Sequence, residues 1–201
     1  TTFVINLATR KDRWEKFKNK GYIRWDATSW AEIMDNDPMI EKMISFHNIK
    51  HTKQHLGKIA CWKSHIRLLE HIVKLKLNKV VILEDDACGI IDIDENNFLD
   101  NCITYLGGFF THPQITQRLN RDKLDIYYGI NLVDESEFKI MTTLAYYIPK
   151  WEIAQELHDK IISCDRYRAI DVMYSQTDIP KSFVYPALFI EQRLDSDIRE
   201  N

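Results

Sequence analysis

Two apolar patterns alternate along the chain of 201 residues: short unbroken runs and longer stretches with helical spacing. The short runs predict strands, and the one at Val80, which no polar alternation interrupts, predicts a strand buried on both faces of a sheet. They fall at 3–7, 22–27, 80–83, 124–129, 142–148 and 182–186. Helical spacing is clearest over 57–77, where Ile59, Trp62, Ile66, Leu69, Val73 and Leu77 share one face, and over 151–162, where Trp151, Ala154, Leu157 and Ile161 do. Shorter helices are predicted from a Thr9 cap to Gly21, from Pro38 to Phe46, over 96–106 before Gly107-Gly108, and over 168–174. Residues 89–94 read as an extended edge, 109–122 as a short helix or a loop, and 192–197 as a polar tail. A helix feeding a buried strand, as 57–77 feeds Val80, marks a βαβ unit. Without repeats, low-complexity tracts or a linker, residues 1–201 read as a single α/β domain.

The chemistry concentrates where the strand at Val80 ends. Val80-Val81-Ile82-Leu83 runs straight into Glu84-Asp85-Asp86. Three crowded carboxylates raise the energy of their ionised forms, so this end calls for a divalent metal or for Arg and Lys side chains. Ligands of open α/β sheets bind outside the carboxyl ends of the strands. Hard oxygen ligands suit Mg²⁺ or Mn²⁺, commonly completed by substrate phosphates. A metal-assisted nucleotide site and a solvated acidic turn both satisfy this stretch.

Other candidates are less specific. Arg10 and Arg13, three apart, share one face of the helix predicted after Thr9, either as an anion clamp or as solvated side chains. Ser64 and His65 are helical neighbours that point in different directions, so they form no nucleophile–base pair by themselves. His47, His51 and His55 recur every fourth position without a carboxylate partner, which favours a solvated face. Cys61, Cys88, Cys102 and Cys164 show neither Cys-x-x-Cys nor zinc-ligand spacing and read as scattered reduced thiols.

Composition narrows the class. A hydrophobic content of 45%, a charged content of 28% and a net charge of −3 describe an ordinary globular chain and disfavour nucleic acid as the main partner. No run approaches ~18 consecutive apolar residues, and no secretory leader is visible. With reduced thiols, this gives an expectation of a cytoplasmic setting. The chain opens at Thr1 without Met, so an upstream segment is compatible with the reading.

Taken in order, the motifs resemble glycosyltransferase family 25, which includes bacterial lipooligosaccharide and collagen hydroxylysine galactosyltransferases. Val4-Ile5-Asn6-Leu7 with Arg10 and Arg13 resembles its opening. Gly57-x-x-Ala60-Cys61-x-x-Ser64-His65 and Ile82-Leu83-Glu84-Asp85-Asp86-Ala87 resemble the next two blocks. Ala145-Tyr146-Tyr147-Ile148, Ile170-Asp171, and Tyr185-Pro186-Ala187-Leu188 with Gln192 and Ser196-Asp197-Ile198 resemble the rest. The chain departs at Leu144, where the family often has His, and at Ala169, near where Pro is common.

The resemblance implies a GT-A-type fold with a Rossmann-like, mostly parallel central sheet flanked by helices. It implies an inverting transfer of galactose or glucose from a UDP-sugar to a glycan, glycolipid or protein hydroxyl. Asp86 would bind Mn²⁺ or Mg²⁺. Glu84 and Asp85 would orient the ribose or donor sugar, and Asn6, Arg10, Arg13, Ser64 and His65 would line the nucleotide site. Asp171, in the fifth block, is the candidate base, with a helix-start charge as the plainer alternative. A relative that keeps the fold for binding alone is the competing class, and Leu144 is its main support. A phosphohydrolase of this architecture would want Asp where Asn6 stands, and neither Gly-x-x-x-x-Gly-Lys nor Gly-x-Gly-x-x-Gly occurs.

Overall fold

The computed structural model describes residues 1–33, 37–41, 52–90, 97–112, 118–120, 124–165 and 168–192. Its strands are β1 (Thr2–Asn6), β2 (Ile23–Asp26), β3 (Val80–Glu84), β4 (Ala87–Gly89), β5 (Ile103–Tyr105), β6 (Phe109–Thr111), β7 (Gly129–Leu132), β8 (Lys139–Met141), β9 (Ala145–Ile148), β10 (Lys181–Tyr185) and β11 (Phe189–Glu191). Seven of them form the central sheet in the order β2-β1-β3-β9-β5-β10-β7. β1 pairs parallel with β2 and β3, β5 pairs parallel with β10, and β9 runs antiparallel to both β3 and β5. β7 closes the sheet antiparallel to β10. Five strands therefore share one direction and only β9 and β7 oppose it. This is the α/β, Rossmann-like, mostly parallel sheet that the resemblance implies.

The unbroken apolar runs are explained by burial on both faces. Phe3, Ile5, Val80, Ile82, Tyr146 and Ile148 pack on one face with Ile66, Leu69 and Ile72 of the long helix Lys53–Leu75 and Leu157 of the helix Trp151–Ile162. Val4, Val81, Leu83, Ala145 and Tyr147 pack on the other with Phe17, Leu188 and Phe189. Alternate residues of each strand thus feed opposite layers. Each fully buried aliphatic side chain contributes about 1.5–3 kcal/mol.

The long helix starts earlier than its periodicity indicates. Thr52 accepts from the His55 backbone N–H, and His55 Nδ1 accepts from the Thr52 backbone N–H, a reciprocal cap. His55 is thereby a capping residue, while His47 and His51 lie outside the described residues. Helix Trp151–Ile162 falls where predicted, and Asn78 accepts from its first N–H.

Four expectations are corrected. After the one-turn helix Lys11–Trp14, which begins beyond Arg10 rather than at Thr9, the chain makes four-residue turns closed by the Phe17 and Lys20 N–H groups. Residues 96–106 hold no α-helix among those described. Ile103–Tyr105 is instead central strand β5, because its β-branched and aromatic side chains are buried between β9 and β10. The strand read at 124–129 is displaced to β7, since Tyr127 and Tyr128 are exposed and the Asn131 side chain bonds both the N–H and C=O of Tyr127. The strand read from 142 begins at Ala145, after Thr142 turns the chain at φ 98°. Of the helix read from Pro38, residues 38–41 are helical and 42–51 lie outside the described residues, as do 91–96 and 193–201. No helix among the described residues is long and apolar enough to cross a membrane.

Candidate functional site

β1 and β3 lie side by side and parallel, with Ile5 opposite Glu84. The loops after both strands therefore leave the same edge of the sheet. The N-terminal half of the long helix covers that edge, bringing Gly57, Ala60, Cys61, Ser64 and His65 to the carboxylates. Thr28, Ser29 and Trp30, following β2, complete a cavity of about 140 Å³ that Arg13, Glu84, Asp85 and Asp86 also line.

The three carboxylates have separate surroundings. Asp85 is buried and fully engaged: Arg13 Nη1 donates to Oδ1 at 2.7 Å and Asn6 Nδ2 to Oδ2 at 2.9 Å. Glu84 accepts from the Thr143 hydroxyl, and its Oε1 is 3.3 Å from His65 Nε2. Burial pushes the Glu84 carboxyl up, but the His65 and Thr143 hydrogen bonds and the His65 charge outweigh it and hold it below its ordinary value. Asp86 is the opposite case. Burial first, then the charges of Glu84, Asp85 and Glu191, push its carboxyl up to about 7 against a smaller opposing pull from Arg13. Its Oδ1 is buried with no hydrogen-bond partner among the described residues.

His65 is fully buried, with Nδ1 2.9 Å from the Tyr146 hydroxyl, which in turn lies 3.2 Å from that of Tyr174. Ser64 turns elsewhere, donating to the Ala60 carbonyl and accepting from the Thr28 N–H. The two do not meet, as their helical positions require, and the Ser64 hydroxyl ties the long helix to the loop after β2. Asn6 is buried behind Asp85, also donating to the Arg10 carbonyl. Arg10 and Arg13, expected on one helical face, separate: Arg13 enters the cavity wall, whereas Arg10 makes a two-pronged pair with Asp12 outside it. Asp171 stands in the first turn of the short helix Ile170–Gln176, and the Val172 N–H donates to it. Burial is the main cause raising its carboxyl, with the Glu84 charge adding, and Asp171 does not itself line the cavity.

Several residues of the site escaped sequence reasoning. Thr143 and Tyr146 reach it from the segment entering β9, and Lys16 lies close enough to Asp86 and Asp85 to feel both charges. Cys61 was grouped with the scattered thiols. The structure corrects this, placing its sulfur with ligand atoms of His65 and Glu84 within 4.8 Å of one another. The available signal was the four-residue spacing of Cys61 and His65 on a helix. Leu144 is buried on the Leu83 and Leu106 side of the core and does not line the cavity.

A mostly parallel α/β sheet carrying a carboxylate-rich cavity at the carboxyl ends of its strands places that cavity where open α/β sheets bind their ligands. The sequence model of glycosyltransferase family 25, described as LPS biosynthesis protein, matches residues 1–174, and the chain belongs to that family. No curated protein matches the chain.

Proposed function

We propose that the chain is an inverting hexosyltransferase that moves galactose or glucose from a UDP-sugar to an acceptor hydroxyl with a divalent cation, Mn²⁺ or Mg²⁺. The observation that carries this reading is Asp86. A carboxylate pushed up to about 7, with a buried oxygen lacking a partner among the described residues, fits a cation placed against it. The hard oxygen donor suits those two ions, with donor phosphates completing the coordination. When bound, the ion supplies neutralisation of charge on the departing diphosphate.

The chain's own residues do the rest. Glu84, fixed by His65 and Thr143, presents its carboxylate to donor hydroxyls. Asp85 holds Asn6 and Arg13 in place, and Arg13, Ser64 and His65 form the wall. Arg10 stands at the rim with Asp12 and swings to the nucleotide when it arrives. Asp171 accepts the proton of the acceptor hydroxyl as that oxygen bonds to the anomeric carbon and the carbon–diphosphate bond breaks on the opposite face. The cavity's 140 Å³ is smaller than the roughly 300–1,000 Å³ of common ligand clefts. It therefore takes part of the donor.

The family's description, LPS biosynthesis, favours a glycolipid or its glycan over a protein as acceptor. Four free cysteines agree with a cytoplasmic setting, and residues 1–201 act in this reading as one glycosyltransferase domain. The alternative of a binding-only relative loses its main support, because the Leu144 side chain belongs to the core. A screen of nucleotide sugars for Mn²⁺-dependent hydrolysis tests the reading. Turnover of a UDP-hexose supports it, and no turnover or thermal protection with any nucleotide sugar contradicts it.

A further inference from the structure

One cluster in the cavity has a chemistry that hard-cation binding at Asp86 leaves unexplained. Cys61 and His65 are four apart on the long helix and so stack on one face. β3 ends against that face with Glu84, and ligand atoms of all three residues lie within 4.8 Å of one another. His65 Nε2 and Glu84 Oε1 are 3.3 Å apart, long for a charge-assisted hydrogen bond of about 2.7–2.9 Å. Tetrahedral zinc, with bonds of about 2.0–2.2 Å to N and O, places neighbouring ligand atoms about 3.3–3.6 Å apart.

The surroundings fit as well. A ligating imidazole uses its second nitrogen on a hydrogen-bonding partner, and a ligating carboxylate is itself held. His65 Nδ1 meets Tyr146, which meets Tyr174, and Thr143 holds Glu84. Hydroxyl rotation lets that chain run in either direction, so His65 Nε2 is able to present a lone pair. Cys61, His65 and Glu84 all line the cavity, which leaves a fourth position facing open space. Three mixed S, N and O ligands with one open position is the donor set of an accessible zinc centre.

We propose that Cys61, His65 and Glu84 form a binding site for Zn²⁺ or a similarly soft divalent ion, distinct from the hard-oxygen position at Asp86. Cys61 binds as the thiolate and His65 as neutral imidazole through Nε2, the Cys61 proton and any proton on Nε2 passing to solvent as the metal–ligand bonds form.

Titration of the full chain with Co²⁺, followed by absorbance, tests this without any sugar donor, so failure of the transferase reading leaves the result untouched. The expected outcome is a saturable one-to-one thiolate-to-cobalt charge-transfer band that Zn²⁺ abolishes by displacement. Cys61→Ser, checked for native circular dichroism, should lose the band and weaken Zn²⁺ binding at least about tenfold, whereas Asp86→Asn should retain it. No band from the folded wild-type chain at millimolar Co²⁺ overturns the proposal. A band unchanged in Cys61→Ser, or lost in Asp86→Asn, overturns it equally.

Discussion

Arg13 donates to Asp85 across 2.7 Å, and both side chains are buried at the point where the loop after β1 meets the end of β3. Asn6 takes the second Asp85 oxygen. The middle carboxylate of Glu84-Asp85-Asp86 is thus consumed in joining two strand ends, and its neighbours are left to face the cavity. Removing one partner of a buried pair leaves the other charge uncompensated, at a cost of about 3–5 kcal/mol. Arg13→Ala should lose stability on that scale in urea denaturation. Arg10→Ala, which removes the cation of the pair with exposed Asp12, should lose less stability than Arg13→Ala. Equal midpoints for wild type and Arg13→Ala would show that the pair contributes nothing.

Asp86 gives a pH dependence with a definite sign. Its folded carboxyl sits at about 7, above the ordinary 3.8. Below about pH 3 both folded and unfolded forms are protonated and no penalty exists. As pH rises towards 7 the unfolded chain ionises first, so this group draws stability down, and the loss is complete above pH 7. Asp86→Asn, permanently neutral, should therefore melt higher than wild type at pH 8 in chelator-containing buffer and no higher at pH 3. Such a gain bought with loss of activity is the trade-off expected of a site residue. A melting difference independent of pH would contradict the origin assigned to it.

Asp171 is tested by separating rate from stability. Loss of a catalytic base costs roughly 10²–10⁴-fold in turnover, whereas a helix-start charge contributes at most about 1 kcal/mol of stability. Asp171→Asn should cut kcat on that scale, with melting temperature and donor affinity nearly unchanged. A variant that melts early yet turns over normally per folded molecule would leave Asp171 as a helix-start residue only.

Much of this architecture was legible because burial writes itself into pattern. β1 and β3 are covered on both faces, so their runs carry no polar break, and helix Trp151–Ile162 buries one stripe. β5 was misread because three residues are too few to show a period, and its state is decided by pairing with β9 and β10. In the site, the carboxylates were legible as charges ending an apolar strand. What each does was not, since Tyr146 lies 81 positions from His65 and Arg13 lies 72 from Asp85. Arg10 and Arg13 show the same limit: their spacing is that of a shared helical face, but the helix begins only after Arg10.

The central claim is that Asp86 couples nucleotide binding to a divalent cation. Calorimetric titration of UDP into the wild-type chain and into Asp86→Asn, each with and without Mn²⁺, tests it most directly. The account predicts tighter UDP binding with Mn²⁺ in the wild type and no such gain in the variant. Equal UDP affinity in both buffers, unchanged by the substitution, would contradict it.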